Sequence, residues 1–341
     1  MKRMSRYIGV DLHTNSLTAC YLEGSEMSFK SYKLSMAGLR CFKQGLRASD
    51  ELAVEATGNT DYFVDVLGSA VSRVVVVNTR QFAVIRKSVS KTDKNDAKAL
   101  AYFLSKDMLP SCRRKGKAYQ QVASLSQTRD KLVKTRTFFM NKIHGLLNGC
   151  GVKLKKESLG SEKGLSKVLA YQVDEVTRFE LELLVSQIRF LKGSINKADE
   201  RLVELGSKLA GHENLSSIKG IGARSATVLL SVIGDINDFA DESKLAAYFG
   251  IVPRVSNSNE TERHGRITKR GSKLGRTTLV QCTLVAIRYS DYLRKFYDRI
   301  KAKRGSGKAI IATARKMLGI IYKTLINNWI FEDFANFVLV K

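Results

Sequence analysis

Short apolar runs bounded by turn residues fill the first third of the chain and predict strands. Three of them, at 7–11, 16–22 and 27–34, follow one another closely and form a plausible meander. A fourth covers 52–55. The run at 74–77 is continuous and β-branched, which is typical of a strand buried on both faces.

Helical spacing appears twice in the same region, at 60–69 and at 93–105. In the second stretch Ala97, Leu100, Ala101 and Leu104 share one helical face. The order of four strands, helix, strand and helix predicts an α/β domain with a mixed sheet over about residues 1–110.

The middle of the chain has the seven-residue spacing of long packed helices. From 122 to 146 the spacing is carried by Leu125, Leu132, Phe139 and Leu146. A second seam, with steps of three and four, consists of Leu181, Leu184, Ile188, Leu191, Ile195, Ala198, Leu202, Leu205 and Leu209. The spacing predicts a coiled-coil arm over about 111–210, with a helix roughly 54 Å long.

Two arrangements of this arm stay open, an antiparallel hairpin within one chain and a dimerisation arm. The stretch between the two helices, 151–172, is rich in Gly, Ser and Lys and predicts a loop or mobile connector.

The last third, 211–341, is predicted to be a compact basic helical domain, with helices at 278–303 and 308–327. The segment 215–230 has an apolar-Gly-apolar-Gly turn before a helix, the pattern of a helix-hairpin-helix. Its glycines would let backbone N–H groups approach a phosphate. A plain helix–turn–helix packing unit is the alternative.

The charge of the chain changes this picture most. Its 341 residues carry 58 Lys and Arg against 32 Asp and Glu, a net charge of +26. This excess predicts a polyanionic partner, nucleic acid before anionic membrane. No apolar run reaches the ~20 residues of a membrane span, and no signal-peptide core follows the N-terminus. Five scattered Cys without metal spacing argue against zinc and disulfides and fit a reducing cytoplasm.

Four acidic residues have the placement of metal ligands. Asp11 and Glu55 each end a predicted strand, and Asp93 and Asp96 lie three apart near a helix start, on one face. Carboxylates that converge in this way favour Mg²⁺ or Mn²⁺, which activate phosphodiesters. Each acid alone is more typical of a turn or a helix cap.

Two neighbouring features point to ordinary roles. Gly9 and Gly58 are expected to serve turn geometry. His13 is expected at the surface, and the alternative is a supporting role beside Asp11, which lies two residues away. No glycine-rich phosphate-binding loop is present in this region.

A polar, loop-like stretch at 249–276 contains Ser256 and Ser258 among basic residues. A serine beside guanidinium groups is a reasonable phosphoryl acceptor, although the same cations can simply bind a phosphate backbone. The nucleic-acid-binding residues that we predict are Lys219, Gly220, Gly222, Arg224, Arg254, Arg263, Lys269, Arg270 and Arg276.

Two blocks of motifs resemble one known family over nearly the whole chain. GVDLHTN, VEATGN and KTDKNDAKALA are followed in order by IKGIGARSATVLLSVIGDI, AAYFGIVPR and SNETERHGRITKRGSKLGR. They are similar to the DEDD transposases of the insertion-sequence-110 family, whose relatives include pilin-gene invertases. The resemblance implies a RuvC-like, RNase H-fold domain with Asp11, Glu55, Asp93 and Asp96 as its acids.

The same resemblance implies Ser258 as the nucleophile, with Ser256 as the alternative. Asn259 and Arg266 stand where the family commonly has Gly. It also implies DNA cleavage and rejoining through a serine–DNA link, a homo-oligomer (dimer or tetramer), a structured guide RNA in many members, and a cytoplasmic, nucleoid-associated protein.

Other interpretations remain. A RuvC-type nuclease would use the same acids with water as the nucleophile. GVDLHTN also resembles the first phosphate loop of actin-like ATPases, and charge alone is compatible with a non-catalytic nucleic-acid-binding protein.

Overall fold

The computed structural model describes residues 6–79, 81–82, 92–258 and 261–331. Its contacts divide the chain into two compact units, Met1–Arg114 and Lys115–Lys341. The second unit therefore contains both the helical arm and the basic domain, and the finer boundary between these two stays a prediction.

The first unit is built on a five-stranded mixed sheet, which confirms the predicted strands. Its order is β3-β2-β1-β4-β5; β2 runs antiparallel to both neighbours, whereas β1, β4 and β5 are parallel. The strands are β1 (Arg6–Leu12), β2 (Ser16–Glu23), β3 (Glu26–Lys33), β4 (Glu51–Glu55) and β5 (Arg73–Val77).

Helices cover both faces of this sheet. On one face Ile8 and Val10 pack against α1 (Met36–Gln44) and α2 (Thr60–Leu67). The other face, which includes Ala53, packs against α3 (Asp93–Ser105). Helix α1 was not anticipated, because a nine-residue helix that buries only two side chains leaves little periodicity in the sequence.

The second unit begins with an antiparallel helical hairpin within one chain. Its helices are α4 (Lys117–Gly149) and α6 (Glu175–Ser207). Arg129 forms two hydrogen bonds of 2.9 Å with Asp199, and Lys142 lies 3.4 Å from Glu180, so the numbering of the two helices runs in opposite directions. This arrangement matches the first alternative for the arm and leaves dimerisation untested.

The expected loop at 151–172 is wrong for most of its length. A short 3₁₀ helix, Lys156–Gly160, precedes α5 (Glu162–Leu169). Leu159, Leu165 and Val168 are buried in a cluster with the hairpin. Three apolar residues among many small and charged ones are enough to pack this segment, although the composition suggests a loop.

Further helices and a β-hairpin of the described residues pack in the second unit around a large apolar core that includes Leu229, Phe249, Leu279 and Met317. They are α7 (His212–Ser216), α8 (Ala223–Ile233), α9 (Glu242–Phe249), β6 (Pro253–Ser258), β7 (Thr261–Ile267), α10 (Lys273–Tyr289), α11 (Asp291–Arg304) and α12 (Ser306–Ile326). Among the described helices, none has the length and hydropathy needed to cross a membrane.

Two expectations for this region need correction. The single helix at 278–303 is two helices, because the Ser290 hydroxyl accepts the backbone N–H of Leu293 and starts α11 anew. The polar loop at 249–276 contains the hairpin β6–β7.

Candidate metal centre and nucleic-acid interface

Gly9 brings strand β1 and helix α3 into backbone contact. A Cβ at Gly9 would lie 2.1 Å from the carbonyl oxygen of Ala97 and 2.4 Å from the amide nitrogen of Ala101. The expectation that Gly9 serves a turn is wrong: it lies within a strand, where only a glycine allows this approach. Asp11, two residues later, shares its face of the sheet and points toward the start of α3.

The first turn of α3 carries the two other aspartates. The Thr92 hydroxyl caps the helix by accepting the backbone N–H of Asn95 at 3.2 Å. Asp93 and Asp96 then occupy the first turn, where the positive end of the helix dipole favours carboxylates. Both lie close enough to Asp11 for their charges to raise its pKa.

The carboxylate of Asp11 lies in an electrostatically unfavourable environment. It is 7% exposed. Burial is the main cause that raises its pKa, the charge of His13 opposes this effect, and the charges of Asp93 and Asp96 add to it. The fully buried Asp50 offers a contrast, because Arg6 donates to both its carboxylate oxygens, at 3.0 and 2.6 Å. Asp50 is thus a structural ion pair, whereas Asp11 faces like charges.

His13 contacts two of these acids, an arrangement that the sequence offered only as the alternative to a surface position. It is exposed, as expected, but its Nε2 lies 3.1 Å from Asp11 Oδ2 and 3.3 Å from Asp93 Oδ1. Its partial burial alone would lower its pKa, but the charges of Asp11 and Asp93 outweigh that effect and raise it. The available signal was its spacing, since Asp11 and His13 lie two apart at a strand end.

The register of the parallel strands places Glu55 beside Asp11 at neighbouring strand ends. Val10 of β1 pairs with Val54 of β4, and Asp11 and Glu55 are the next residues along. Ala53 packs on the α3 side of the sheet, so Glu55, two residues on, shares the face of Asp11. Glu55 is half-buried, and the Thr60 hydroxyl donates to its backbone carbonyl.

These residues fit a divalent metal ion. Donor atoms of Asp11, His13 and Asp93 all lie within 4.8 Å of one another. Carboxylate oxygens with one imidazole nitrogen are a suitable donor set for Mg²⁺ or Mn²⁺. A bound cation would also offset the negative charges of Asp93 and Asp96 that raise the pKa of the buried Asp11.

The predicted phosphate-binding turn lies between α7 and α8 and contains two glycines in different surroundings. Gly220 has φ +103°, and a Cβ there would lie 2.8–2.9 Å from atoms of Ala286 and Cys282, so this glycine serves packing against α10. Gly222 starts α8 without a side-chain cap, and a Cβ there would meet open space. Lys219 is exposed, and Arg224 is exposed with Nη1 3.5 Å from Asp199.

The hairpin β6–β7 carries both candidate serines. Backbone pairing aligns Ser256 with Arg263 and Ser258 with Thr261, which places Ser258 at the end of β6, next to the tip of the hairpin. Asn259 and Glu260 lie outside the described residues, as do the side chains of Ser256, Ser258 and Arg263.

Four other predicted basic residues differ in their surroundings. Arg254, Lys269 and Arg270 are exposed. Arg276 is half-buried, and its Nη1 donates to the carbonyl oxygens of Phe249, Arg270 and Gly271 at 3.1, 3.3 and 3.2 Å. Arg276 therefore holds the segment that follows the hairpin.

Two family models match successive parts of the chain. A transposase model for the DEDD domain of IS110 proteins matches residues 8–151, which include all four acids and His13. A second model, described as the IS116/IS110/IS902 transposase family, matches residues 212–298, which include the turn before α8 and the hairpin.

Curated relatives agree with these matches. The chain is 28% identical over 243 residues to the transposase of insertion sequence element IS1111A from Coxiella burnetii, covering 69% of this chain and 67% of that protein. It is 26% identical over 286 residues to a probable family 20 transposase of Pseudomonas aeruginosa, covering 80% and 83%. It is also 26% identical over 345 residues to the pilin gene-inverting protein of Moraxella bovis, covering 96% and 97%.

Proposed function

We propose that this chain, which belongs to the IS110 family of transposases, cuts and rejoins DNA with a metal-binding acidic tetrad and a serine nucleophile. The observation that carries the proposal is the approach of Asp93 to Asp11 at the contact between β1 and α3, where donor atoms of Asp11, His13 and Asp93 lie within 4.8 Å of one another. Asp96 lies in the same first helical turn as Asp93. Glu55 completes the tetrad from the neighbouring strand end. The DEDD domain implies dependence on a divalent metal, and a bound Mg²⁺ or Mn²⁺ supplies Lewis-acid activation of the phosphodiester.

Ser258 is the proposed nucleophile. Its Oγ bonds to the scissile phosphorus as the hydroxyl proton leaves, and the bond from phosphorus to one deoxyribose oxygen breaks. That oxygen takes up a proton and becomes a free hydroxyl. Because one phosphodiester replaces another, the reverse step rejoins DNA without ATP. This proposal is supported by the position of Ser258 at the end of β6, in a segment rich in cations.

Exposed cations of the second unit are proposed to bind the phosphate backbone. The net charge of +26 and the exposure of Lys219, Arg224, Arg254 and Lys269 support this assignment. Arg276 contributes by holding the backbone near these residues, since its guanidinium is already bonded to three carbonyls.

A homo-oligomer and a structured guide RNA are further parts of the proposal. Recombination needs at least two strands cut together, which requires more than one active site. Exposed apolar residues on the outer face of α6, namely Phe179, Leu183 and Phe190, support self-association of the arm.

Site-specific inversion is a second candidate outcome of the same chemistry. It is favoured by the pilin gene-inverting protein of Moraxella bovis, which the chain matches over 97% of that protein's length. Inversion and transposition share cleavage and rejoining and differ in the arrangement of the DNA sites.

A covalent-trapping assay tests the proposal. The protein is incubated with the DNA that flanks its gene and Mg²⁺, with and without transcript from that DNA, and then denatured. We expect a protein–DNA adduct that is absent in Ser258→Ala and Asp11→Asn but present in Ser256→Ala. If the adduct were lost only in Ser256→Ala, Ser256 would be the nucleophile instead of Ser258. Metal-dependent nicking without any adduct would instead favour a RuvC-type nuclease with water as the nucleophile.

A further inference from the structure

The imidazole of His13 lies where a ligand of the metal is expected. Its Nε2 is 3.1 Å from Asp11 Oδ2 and 3.3 Å from Asp93 Oδ1. Neighbouring ligands of an octahedral ion with bonds of about 2.1 Å lie about 3.0 Å apart. The nitrogen and each oxygen are therefore already spaced as adjacent ligands of one ion.

The backbone of His13 is held on both sides. Its N–H donates to the carbonyl oxygen of Ser16 at 2.9 Å, which closes the turn between β1 and β2. Its carbonyl oxygen accepts from Asn59 Nδ2 at 3.3 Å. The ring is thus presented from an anchored turn, and it reaches acids on two separate elements, the strand β1 and the helix α3.

We propose that His13 binds the metal of this site directly through Nε2, and that this nitrogen ligand shifts the preference of the site from Mg²⁺ toward Mn²⁺. The inference rests on the proposed metal function of the acids and adds a ligand that the tetrad lacks. Imidazole is a softer donor than carboxylate and binds transition metals better than it binds Mg²⁺. A site built from carboxylates alone offers only hard oxygen donors, which suit Mg²⁺, Ca²⁺ and Mn²⁺ alike.

The competing explanation is that His13 only bridges the two carboxylates by hydrogen bonds and leaves when a metal binds. The two explanations differ in a spectroscopic property of the loaded protein. A nitrogen bonded to Mn²⁺ gives a ¹⁴N coupling in pulsed electron paramagnetic resonance, whereas a displaced ring gives none.

The experiment uses the full chain, with Mn²⁺ alone as the probe and no DNA. We expect ¹⁴N coupling in the wild type and its loss in His13→Asn. We also expect Mn²⁺ to bind at least about 10-fold more weakly to His13→Asn, while Mg²⁺ affinity, measured by competition, changes less than Mn²⁺ affinity. His144→Asn, which alters a histidine of α4 in the other unit, is the matched control and should keep the coupling.

The outcomes separate this inference from the proposed function. Mn²⁺ that binds the wild type without ¹⁴N coupling, or coupling that persists in His13→Asn, would overturn the role of His13 and leave the acidic site intact. Mn²⁺ binding in Asp11→Asn that equals the wild type would instead contradict the acidic site itself. Equal losses of Mg²⁺ and Mn²⁺ affinity in His13→Asn would overturn the proposed selectivity.

Discussion

Gly9 and Ala97 set the distance between the strand that carries Asp11 and the helix that carries Asp93. The α-carbon of Gly9 faces the helix backbone so closely that a Cβ would lie 2.1 Å from the Ala97 carbonyl oxygen. Because backbone atoms on both sides make this contact, no side-chain rotation can relieve a larger residue. The close packing of two secondary structure elements is therefore part of the geometry of the acidic site.

Replacing Gly9 with Ala should move α3 away from β1. We expect a loss of about 1–3 kcal/mol in the free energy of unfolding and weaker Mn²⁺ binding, because Asp93 and Asp96 would shift relative to Asp11. Urea denaturation and metal titration measure the two effects. Gly58→Ala is the control, since a Cβ there meets nothing within 4 Å; comparable losses in both variants would contradict the packing argument.

Asp11→Asn should stabilise the metal-free protein while removing metal binding. The raised pKa of Asp11 means that the folded state holds its proton to higher pH than the unfolded state does, so stability falls as pH rises through that interval. Above that interval the full penalty is present, and the neutral amide of Asn removes it. Thermal melts in chelator should show a higher midpoint for Asp11→Asn, whereas added Mn²⁺ should raise the midpoint of the wild type alone. A lower midpoint in chelator would show that Asp11 has a structural role.

The ion pair between Arg129 and Asp199 should contribute measurably to the helical hairpin. Asp199 accepts both Arg129 bonds at 2.9 Å and lies 3.5 Å from Arg224. Asp199→Ala leaves the guanidinium groups without their acceptor, and we expect about 1–3 kcal/mol of destabilisation. Asp130→Ala removes an i,i+4 pair with Lys134 and should lose about 0.5 kcal/mol or less. Chemical denaturation followed by circular dichroism measures the free energy of unfolding of both variants. Equal losses would contradict the larger contribution that we assign to Asp199.

Thiol labelling offers an inexpensive check of the first unit. Burial raises the pKa of the Cys20 thiol to about 11, whereas Cys41 is exposed. At pH 8 we expect rapid alkylation of Cys41 and of the exposed Cys150, and protection of Cys20 until the protein unfolds. Mass spectrometry of labelled peptides measures the order, and early modification of Cys20 would be incompatible with the packing of α3 on β2.

Much of the fold was predictable because buried apolar residues recur at regular spacing in the sequence. The strands of the sheet and the seam of α6 follow apolar patterns, and seam residues such as Leu181, Ile188 and Leu202 are indeed buried. The four acids stood out in the sequence because Asp11 and Glu55 lie near the ends of buried strands and the other two share a helix turn. Their role as metal ligands stays a prediction. These features depend on neighbours in sequence.

The features that sequence analysis missed lie in exposed segments, leave the apolar spacing unbroken, or depend on contacts between residues far apart in the chain. The strands β6 and β7 form a two-stranded ribbon with exposed residues such as Arg254 and Val255, so no apolar alternation marks it. The break at Ser290 is invisible because Ala286 and Leu293 continue the helical spacing across it. The contact of His13 with Asp93 depends on an approach between β1 and α3 that Gly9 permits and that no local pattern encodes.

The cover that α3 gives to one face of the sheet has a consequence for synthesis of the protein. Strands β1 to β5 all precede α3 in the chain, and Ala53, Val75 and Cys20 pack on the face that α3 covers. A nascent chain released from the ribosome only as far as β5 has a bare apolar sheet face and two of its four acids. The cover of this face and the proposed acidic site are therefore completed together, when the chain has emerged as far as Ser105. The proposed nucleophile Ser258 follows later in the chain, so catalysis also waits for the second unit.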